Sequence, residues 1–351
     1  MFTLVCVFGL GICTCLCCRA NLPDVYPVIV KMMSIFFAVM HKGMSVFNKH
    51  PSNRSGFYLR LNENQDNSLN LYDSSKFTFI LDYFFPDIKN YSYNGWRPCR
   101  NQKDLDTIWL RSGLPGDVLD SIKRWAQFAI RQSVWINPSK DILSNFSGNE
   151  LDFCLAADFN CAINEVGNVD FSCLTDIGKA EQQLKYCLSA ISMEDRQHYC
   201  DIMDSAMQDI FNLLPLPNTN EQASLSTTMR TVISPVPAVV SSQNKIAWIL
   251  ATHMAKKNAL NCLQPMLVCS KPEMKTLSVS QKINTWKELF SKNQLANIQS
   301  KDIAGNTVII VDDLYQSGAS VWAYAQYLKK IGARTVYGLV CVKSMRDTDN
   351  R

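Results

Sequence analysis

NTVIIVDDLYQSGASVWAYAQYLKKIGAR, residues Asn306–Arg334, is the stretch from which the fold can be read. Four apolar residues, Val308, Ile309, Ile310 and Val311, run directly into two carboxylates, Asp312 and Asp313. The run has the length and β-branching of a strand buried on both faces, as in a parallel sheet. After a short loop of small and hydroxyl residues, Val321, Tyr324, Leu328 and Ile331 recur at helical spacing. Gly332 stands where a helix should stop. The spacing therefore predicts a strand–loop–helix unit whose loop lies at the carboxyl end of the strand, where open α/β sheets bind ligands.

The loop residues suit an anion. Gly318 lets the backbone approach closely, Ser317 and Ser320 supply hydroxyl donors, and the first N–H groups of the helix complete a phosphate cradle. Asp312 and Asp313, one step upstream, are placed to accept hydrogen bonds from vicinal hydroxyls. A phosphate and a diol held one sugar apart describe a ribose 5-phosphate. The competing reading is that the acidic pair ends the strand and caps the turn.

VIIVDDLYQSGAS resembles the phosphoribosyl-pyrophosphate (PRPP) signature of type I phosphoribosyltransferases: four apolar residues, two acids and a Thr/Ser-Gly loop. Gln316 stands where Thr is commonest, and Ser317 and Ser320 replace Thr. The resemblance implies that Asp312 and Asp313 hold the ribose hydroxyls and form the catalytic pair, with Asp313 beneath the ribose ring supporting its positive charge. It also implies that Tyr315, Gln316, Ser317, Gly318, Ala319 and Ser320 wrap the 5′-phosphate.

A second stretch, TVISPVPAVVSSQNKIAWILATHMA (Thr231–Ala255), reads as a strand, a Pro-Val-Pro turn and a helix. It is similar to the first strand and pyrophosphate loop of the competence-factor (ComF) branch, which would place Pro235, Val236, Pro237, Asn244 and Lys245 around the pyrophosphate. LSVSQKINTWKELF (Leu277–Phe290) and LTDIGKAEQQLKY (Leu174–Tyr186) resemble other parts of that branch, so the likeness covers Glu150–Arg351. It implies an α/β phosphoribosyltransferase type I fold, PRPP or a related ribose phosphate as ligand, and Mg²⁺ carried mainly by the substrate. The implied reaction moves a phosphoribosyl group to a nitrogen nucleophile with release of pyrophosphate.

One departure bears on turnover. The branch usually carries Arg-Gly-Phe-Asn-Gln after Pro-Val-Pro, whereas this chain has Ser241-Ser242-Gln243-Asn244-Lys245. Asn244 keeps its place and the Arg is missing. Departure of pyrophosphate rests largely on Mg²⁺ and positioned cations, which leaves Lys245, Lys271, Lys275 and Lys282 as substitutes. Two other readings stay open: a non-catalytic PRPP- or nucleotide-sensing module, and an accessory protein in DNA uptake, processing or defence.

The remaining sequence sets the context. A length of 351 residues suggests more than one domain. We divide it into an apolar segment 1–45, an α+β region 46–149 and the phosphoribosyltransferase-like domain 150–351, with Leu151–Leu214 as the hood over an acceptor. A net charge of +4 is too mild to argue nucleic-acid binding by itself. Of the 14 cysteines, five (Cys6, Cys13, Cys15, Cys17, Cys18) fall in the first 18 residues. CTCLCC has no distant partner pair, so zinc is disfavoured. Disulfides are not expected either, because PRPP is a cytosolic metabolite and the cytoplasm keeps thiols reduced. Met1–Cys18 carries no charge and precedes Arg19; it reads as a membrane anchor, as a buried segment, or as a start assigned too early.

Upstream of the site, KFTFILDYFF (Lys76–Phe85) predicts a strand, Asn90–Cys99 a loop, and Val118, Ile122, Trp125 and Ala129 one face of a helix. Arg97, Arg100, Arg111, Lys123, Arg124 and Arg131 among Trp96, Trp109 and Trp125 read either as a solvated face over a core stripe or as a single-stranded DNA surface. Asn218–Thr228 reads as a loop. The expected core strands are Thr231–Val236, Met266–Cys269, Thr307–Val311 and Thr335–Val342. Lys343 and Arg346 follow the last one, placed either to neutralise a phosphate or to be solvated.

Overall fold

The structure is a computed structural model. It describes strands at Val5–Phe8, Gly11–Thr14, Gly56–Arg60 and Asn67–Tyr72. It then describes residues 80–99, 102–111, 115–136, 138–163, 169–216, 230–239, 245–274, 276–291 and 294–345.

A mixed α/β architecture surrounds a six-stranded sheet. Its strands are β1 (Val134–Trp135), β2 (Phe153–Phe159), β3 (Thr231–Pro235), β4 (Asn261–Cys262), β5 (Thr307–Tyr315) and β6 (Thr335–Lys343). They lie in the order β4-β3-β5-β6-β2-β1. All neighbours are parallel except β1, which pairs antiparallel with β2 at the edge. Parallel strands need crossovers, and helices on the two faces supply them. The longer helices are α1 (Gly116–Gln132), α2 (Asp176–Tyr186), α3 (Met193–Phe211), α4 (Ile246–Lys257), α5 (Val279–Ser291) and α6 (Ala319–Lys330).

Strand alternation divides the core in two. Ile309 and Val311 of β5 join Ile233, Leu339 and Cys341 under α3 and α4. Val308 and Ile310 join Val232, Val336 and Val340 under α5 and α6. All of these side chains are buried, which accounts for the unbroken apolar runs in sequence. Continuing the period of two past Val311 puts Asp312 toward the α6 face and Asp313 toward the α2–α4 face.

Three expectations are corrected. Met266–Cys269 is not a strand of the main sheet. Leu260 returns the chain from α4, Asn261–Cys262 pairs with β3 at the edge, and Pro265, which has no N–H to donate, follows before that pairing could extend. Met266–Leu267 instead pairs with Ala238–Val239 and Leu295–Ala296 in a three-stranded sheet. Second, residues 80–84 are helical rather than extended. Ile80 and Leu81 are buried and Phe84 and Phe85 pack on the same cluster, a three-to-four spacing that favours a helix over a strand. Third, Arg97–Cys99 is a short strand paired with Gln102–Leu110, not loop.

α1 matches its predicted face. Ile122 and Ala129 are buried, and the Trp125 ring lies 5.4 Å from Phe84 and 5.9 Å from Phe85 between centroids. Trp96 also packs against the core, so of the three tryptophans considered for nucleic acid only Trp109 is largely exposed. Asn218–Thr228, Asn244, Lys275, Arg346 and the side chains of Cys6–Cys18 lie outside the described residues. Among the described residues, no helix is long and apolar enough to cross a membrane.

Candidate functional site

The site begins where the sheet splits. β3 and β5 pair in register from Thr231–Thr307 to Pro235–Val311, and a last bond runs from the Val236 N–H to the Val311 carbonyl at 2.9 Å. Pro237 has no N–H with which to continue, and the chain leaves for Ala238–Val239. β5 nevertheless goes on beside β6, pairing Asp312 with Val340, Leu314 with Val342 and Tyr315 with Lys343. Asp312 and Asp313 therefore stand where β3 has left β5 on one side, at the carboxyl end of parallel strands, where such sheets hold ligands.

The loop after β5 is built around Gly318. Its φ is +79°, in the left-handed region that glycine adopts without strain. A Cβ there would lie 2.2 Å from Tyr315 Oη. Tyr315 itself turns inward: it is buried, and its hydroxyl accepts from Trp322 Nε1 at 3.2 Å. The side chains left on the loop surface are Gln316, Ser317 and Ser320, all half-buried, while Ala319 is buried. Ala319 N–H donates weakly to Ser317 Oγ at 3.5 Å, and the amino end of α6 opens onto the loop. Gly318→Ala is expected to combine a left-handed penalty with displacement of the Tyr315 ring. Together these should lower stability by about 2–3 kcal/mol, read as a larger fall in the thermal midpoint than that of Gly305→Ala, where a Cβ meets nothing within 4 Å at φ +75°, the control for φ alone.

The two carboxylates have different partners. Asp312 accepts the Asp313 backbone N–H at 3.0 Å, and Ser320 Oγ donates to its Oδ2 at 3.5 Å. Asp313 Oδ2 is ion-paired with Lys185 Nζ at 2.8 Å, and Lys185 also holds Glu181 Oε1 at 2.9 Å. Burial, and next the neighbouring Asp313 charge, push the Asp312 carboxyl well above the usual range. Burial acts the same way on Asp313, but Lys185 overturns it and holds that carboxyl below the usual value. Burial also works against the Lys185 charge, yet Asp313 and Glu181 outweigh it and hold the ammonium above its usual value. Burial raises Glu181 despite Lys185. Lys185 thus bridges Glu181 and Asp313 and leaves Asp312 without a direct cationic partner among these contacts, so the site keeps a proton on Asp312 in preference to Asp313.

Lys185 and Glu181 are the site residues that sequence reasoning missed, although LTDIGKAEQQLKY contains both. α2 is aimed by its amino end. Thr175 Oγ1 accepts from Gly178 N–H at 3.0 Å and donates to the Phe159 carbonyl at 2.6 Å. A Cβ on Gly178 would lie 2.2 Å from the Asn160 carbonyl oxygen, so only glycine lets α2 seat this closely at the end of β2. Glu181 and Lys185 then follow at i and i+4 on one helix face, the spacing of a helical ion pair. That spacing was the available signal.

Other cations gather nearby. Lys245 forms the N-cap position of α4. Lys271 places its ammonium 4.5 Å from the Trp286 ring centroid. Desolvation there, and then the positive charge of Lys245, lower its pKa, while Asp312 and Asp313 oppose the shift. Lys282 is buried. Lys343 Nζ donates to the Ser344 carbonyl at 2.8 Å and lies 5.6 Å from the Tyr315 ring centroid. Among the described residues, no group of three or more His, Cys, Asp or Glu is placed to hold a metal ion.

No family model matches the chain, and no curated protein matches it. Among solved structures it is similar to a hypoxanthine phosphoribosyltransferase from Staphylococcus aureus at 10% identity, over 43% of this chain and 70% of that one, with a TM-score of 0.25.

Proposed function

We propose that the site binds PRPP, or a closely related ribose 5-phosphate, and that the protein transfers the phosphoribosyl group to a nitrogen acceptor with release of pyrophosphate. One observation carries this reading. The acidic pair, the Gln316–Ser320 loop and the amino end of α6 converge where β3 leaves β5. An anion cradle beside two hydroxyl acceptors is what a ribose 5-phosphate requires. The fold that best accommodates the arrangement is the type I phosphoribosyltransferase fold, with residues 150–351 supplying its parallel strands and Val134–Trp135 adding the antiparallel edge.

In this reading the 5′-phosphate sits against Ser317, Gly318 and Ser320, and the ribose hydroxyls reach Asp312 and Asp313. Mg²⁺ would enter on the substrate's phosphates, the usual mode for an ion that keeps several waters and takes few protein carboxylates. There it offsets the charge of the leaving pyrophosphate. Lys245 and Lys271 are the cations placed to replace the missing Arg of the pyrophosphate loop. The protein positions the sugar and supports its developing positive charge through Asp313, and needs no covalent nucleophile.

A second reading, ligand sensing without turnover, has one observation in its favour: Lys185 already occupies Asp313 and must yield to a ribose hydroxyl. Calorimetric titration of PRPP with Mg²⁺ into the full chain tests both. The native chain should give saturable heat and the Asp312→Asn/Asp313→Asn variant none. Pyrophosphate release with a nucleobase or amine then separates transfer from sensing. Absence of heat at millimolar ligand with a folded chain would overturn both readings.

A further inference from the structure

One face of the four-stranded sheet that precedes the site in sequence has no part in the ribose-phosphate reading. Gly56–Arg60, Asn67–Tyr72, Gln102–Leu110 and Arg97–Cys99 pair antiparallel in that order. Alternation along Gln102–Leu110 makes the two faces unlike. Ile108 and Leu110 are buried in the cluster that also holds Ile122 of α1. Trp109, between them, is 52% exposed.

Cations and a second aromatic surround Trp109. Tyr93 lies opposite it, its N–H donating to the Trp109 carbonyl at 3.2 Å, and is 50% exposed. Arg111, two positions beyond Trp109 and so on the same face, is exposed. Its guanidinium carbon lies 5.5 Å from the Tyr93 ring centroid, within reach of a cation–π contact. Arg97, also exposed, pairs with Thr107, two positions before Trp109. Register carries the face across the sheet: Ser68 pairs with Trp109 and Arg60 with Ser68, while Asn70 pairs with Thr107 and Tyr58 with Asn70. Tyr58 and Arg60 therefore occupy positions on this face. None of the positions so paired is acidic, and Asp106 falls on the other face, opposite Leu71.

We propose that this face binds single-stranded nucleic acid, with bases stacked on Trp109 and Tyr93 and the phosphates following Arg97 and Arg111. Every base offers a flat π-surface and every nucleotide a negative charge, which suits exposed rings framed by guanidinium groups. A duplex hides its base faces in its own stack, so the arrangement selects unpaired strands. Protein interfaces also favour Tyr, Trp and Arg, but around an apolar centre. Here the aliphatic neighbours of Trp109, Ile108 and Leu110, are turned into the core. The inference does not depend on the ribose-phosphate reading.

The test is fluorescence anisotropy of labelled oligothymidylate and oligouridylate of about 12 nucleotides, beside a duplex of the same length, with the full chain. Saturable binding of at least one single strand, roughly tenfold tighter than the duplex, is expected, and the tighter of the two identifies the sugar. Trp109→Ala should weaken that binding by at least about fivefold, whereas Trp109→Phe, which keeps a stacking face, should retain most of it. Arg97→Gln should reduce the slope of log affinity against log salt by about 0.7. Equal affinity for single strand and duplex would mean attraction to charge alone. No binding at micromolar protein in low salt would leave the face to a protein partner. Either result overturns the proposal on the native chain, whether or not the variants fold.

Discussion

Lys185→Met is expected to destabilise the protein by about 2–3 kcal/mol at neutral pH. Breaking a fully buried ion pair from one side costs about 3–5 kcal/mol, because the abandoned carboxylate stays desolvated. Here Lys185 and Asp313 keep 32% and 20% of their side-chain surface, and solvent screening reduces the figure. Methionine retains the aliphatic stem, so the loss reports charge rather than packing. The pH dependence identifies the cause. Asp313 is depressed in the folded chain, so its stabilisation is present above the unfolded-state value and is lost as pH falls through the folded one. The gap between native and Lys185→Met should therefore be widest near neutrality and narrow in acid. Denaturant unfolding at several pH values measures it. A gap that is constant with pH would mean that Lys185 acts through packing and that the ion pair is incidental.

The same residue shows what the sequence could convey. The run Val308–Val311 with Asp312 and Asp313 identifies a buried strand and its carboxyl-end loop, because β-branching, a sudden double charge and a glycine-containing turn are all local properties. What ends up opposite Asp313 is not local. Lys185 lies 128 residues upstream of Asp313 by number, and its arrival depends on Gly178 clearing the Asn160 carbonyl, a contact that no pattern along the chain encodes. The misplaced strand at Met266–Cys269 failed for a related reason. Its apolar residues suit a strand equally well in the main sheet or in the small one, and Asn261–Cys262 reaches the edge of β3 first. The split between β3 and β5 lies between these cases. Pro235-Val236-Pro237 announces that pairing must stop, but only the register with Val311 places that stop beside the carboxylates.

Asp312→Asn is expected to do the reverse of Lys185→Met, raising stability near neutral pH by about 2 kcal/mol while removing ligand affinity. Asp312 is 9% exposed, and its raised carboxyl pKa comes from burial first and the Asp313 charge second. A carboxyl raised on folding contributes stability that is present below its unfolded-state value and is lost as pH rises through the folded one. At neutrality the native chain is therefore strained at this position, and an amide removes the strain. Asn keeps an oxygen for the Asp313 N–H that Asp312 now accepts, and its NH₂ can donate toward the Asp313 carboxylate as a protonated Asp312 would. The gain over the native chain should shrink as pH falls and Asp312 takes up its proton. A site that destabilises the fold in the absence of ligand is one from which binding can recover the difference. PRPP with Mg²⁺ should accordingly raise the native thermal midpoint and leave that of Asp312→Asn unmoved. A variant no more stable than the native chain at neutral pH would mean that the Asp312 charge is already compensated inside the protein. The site would then have no electrostatic strain for a ribose diol to relieve.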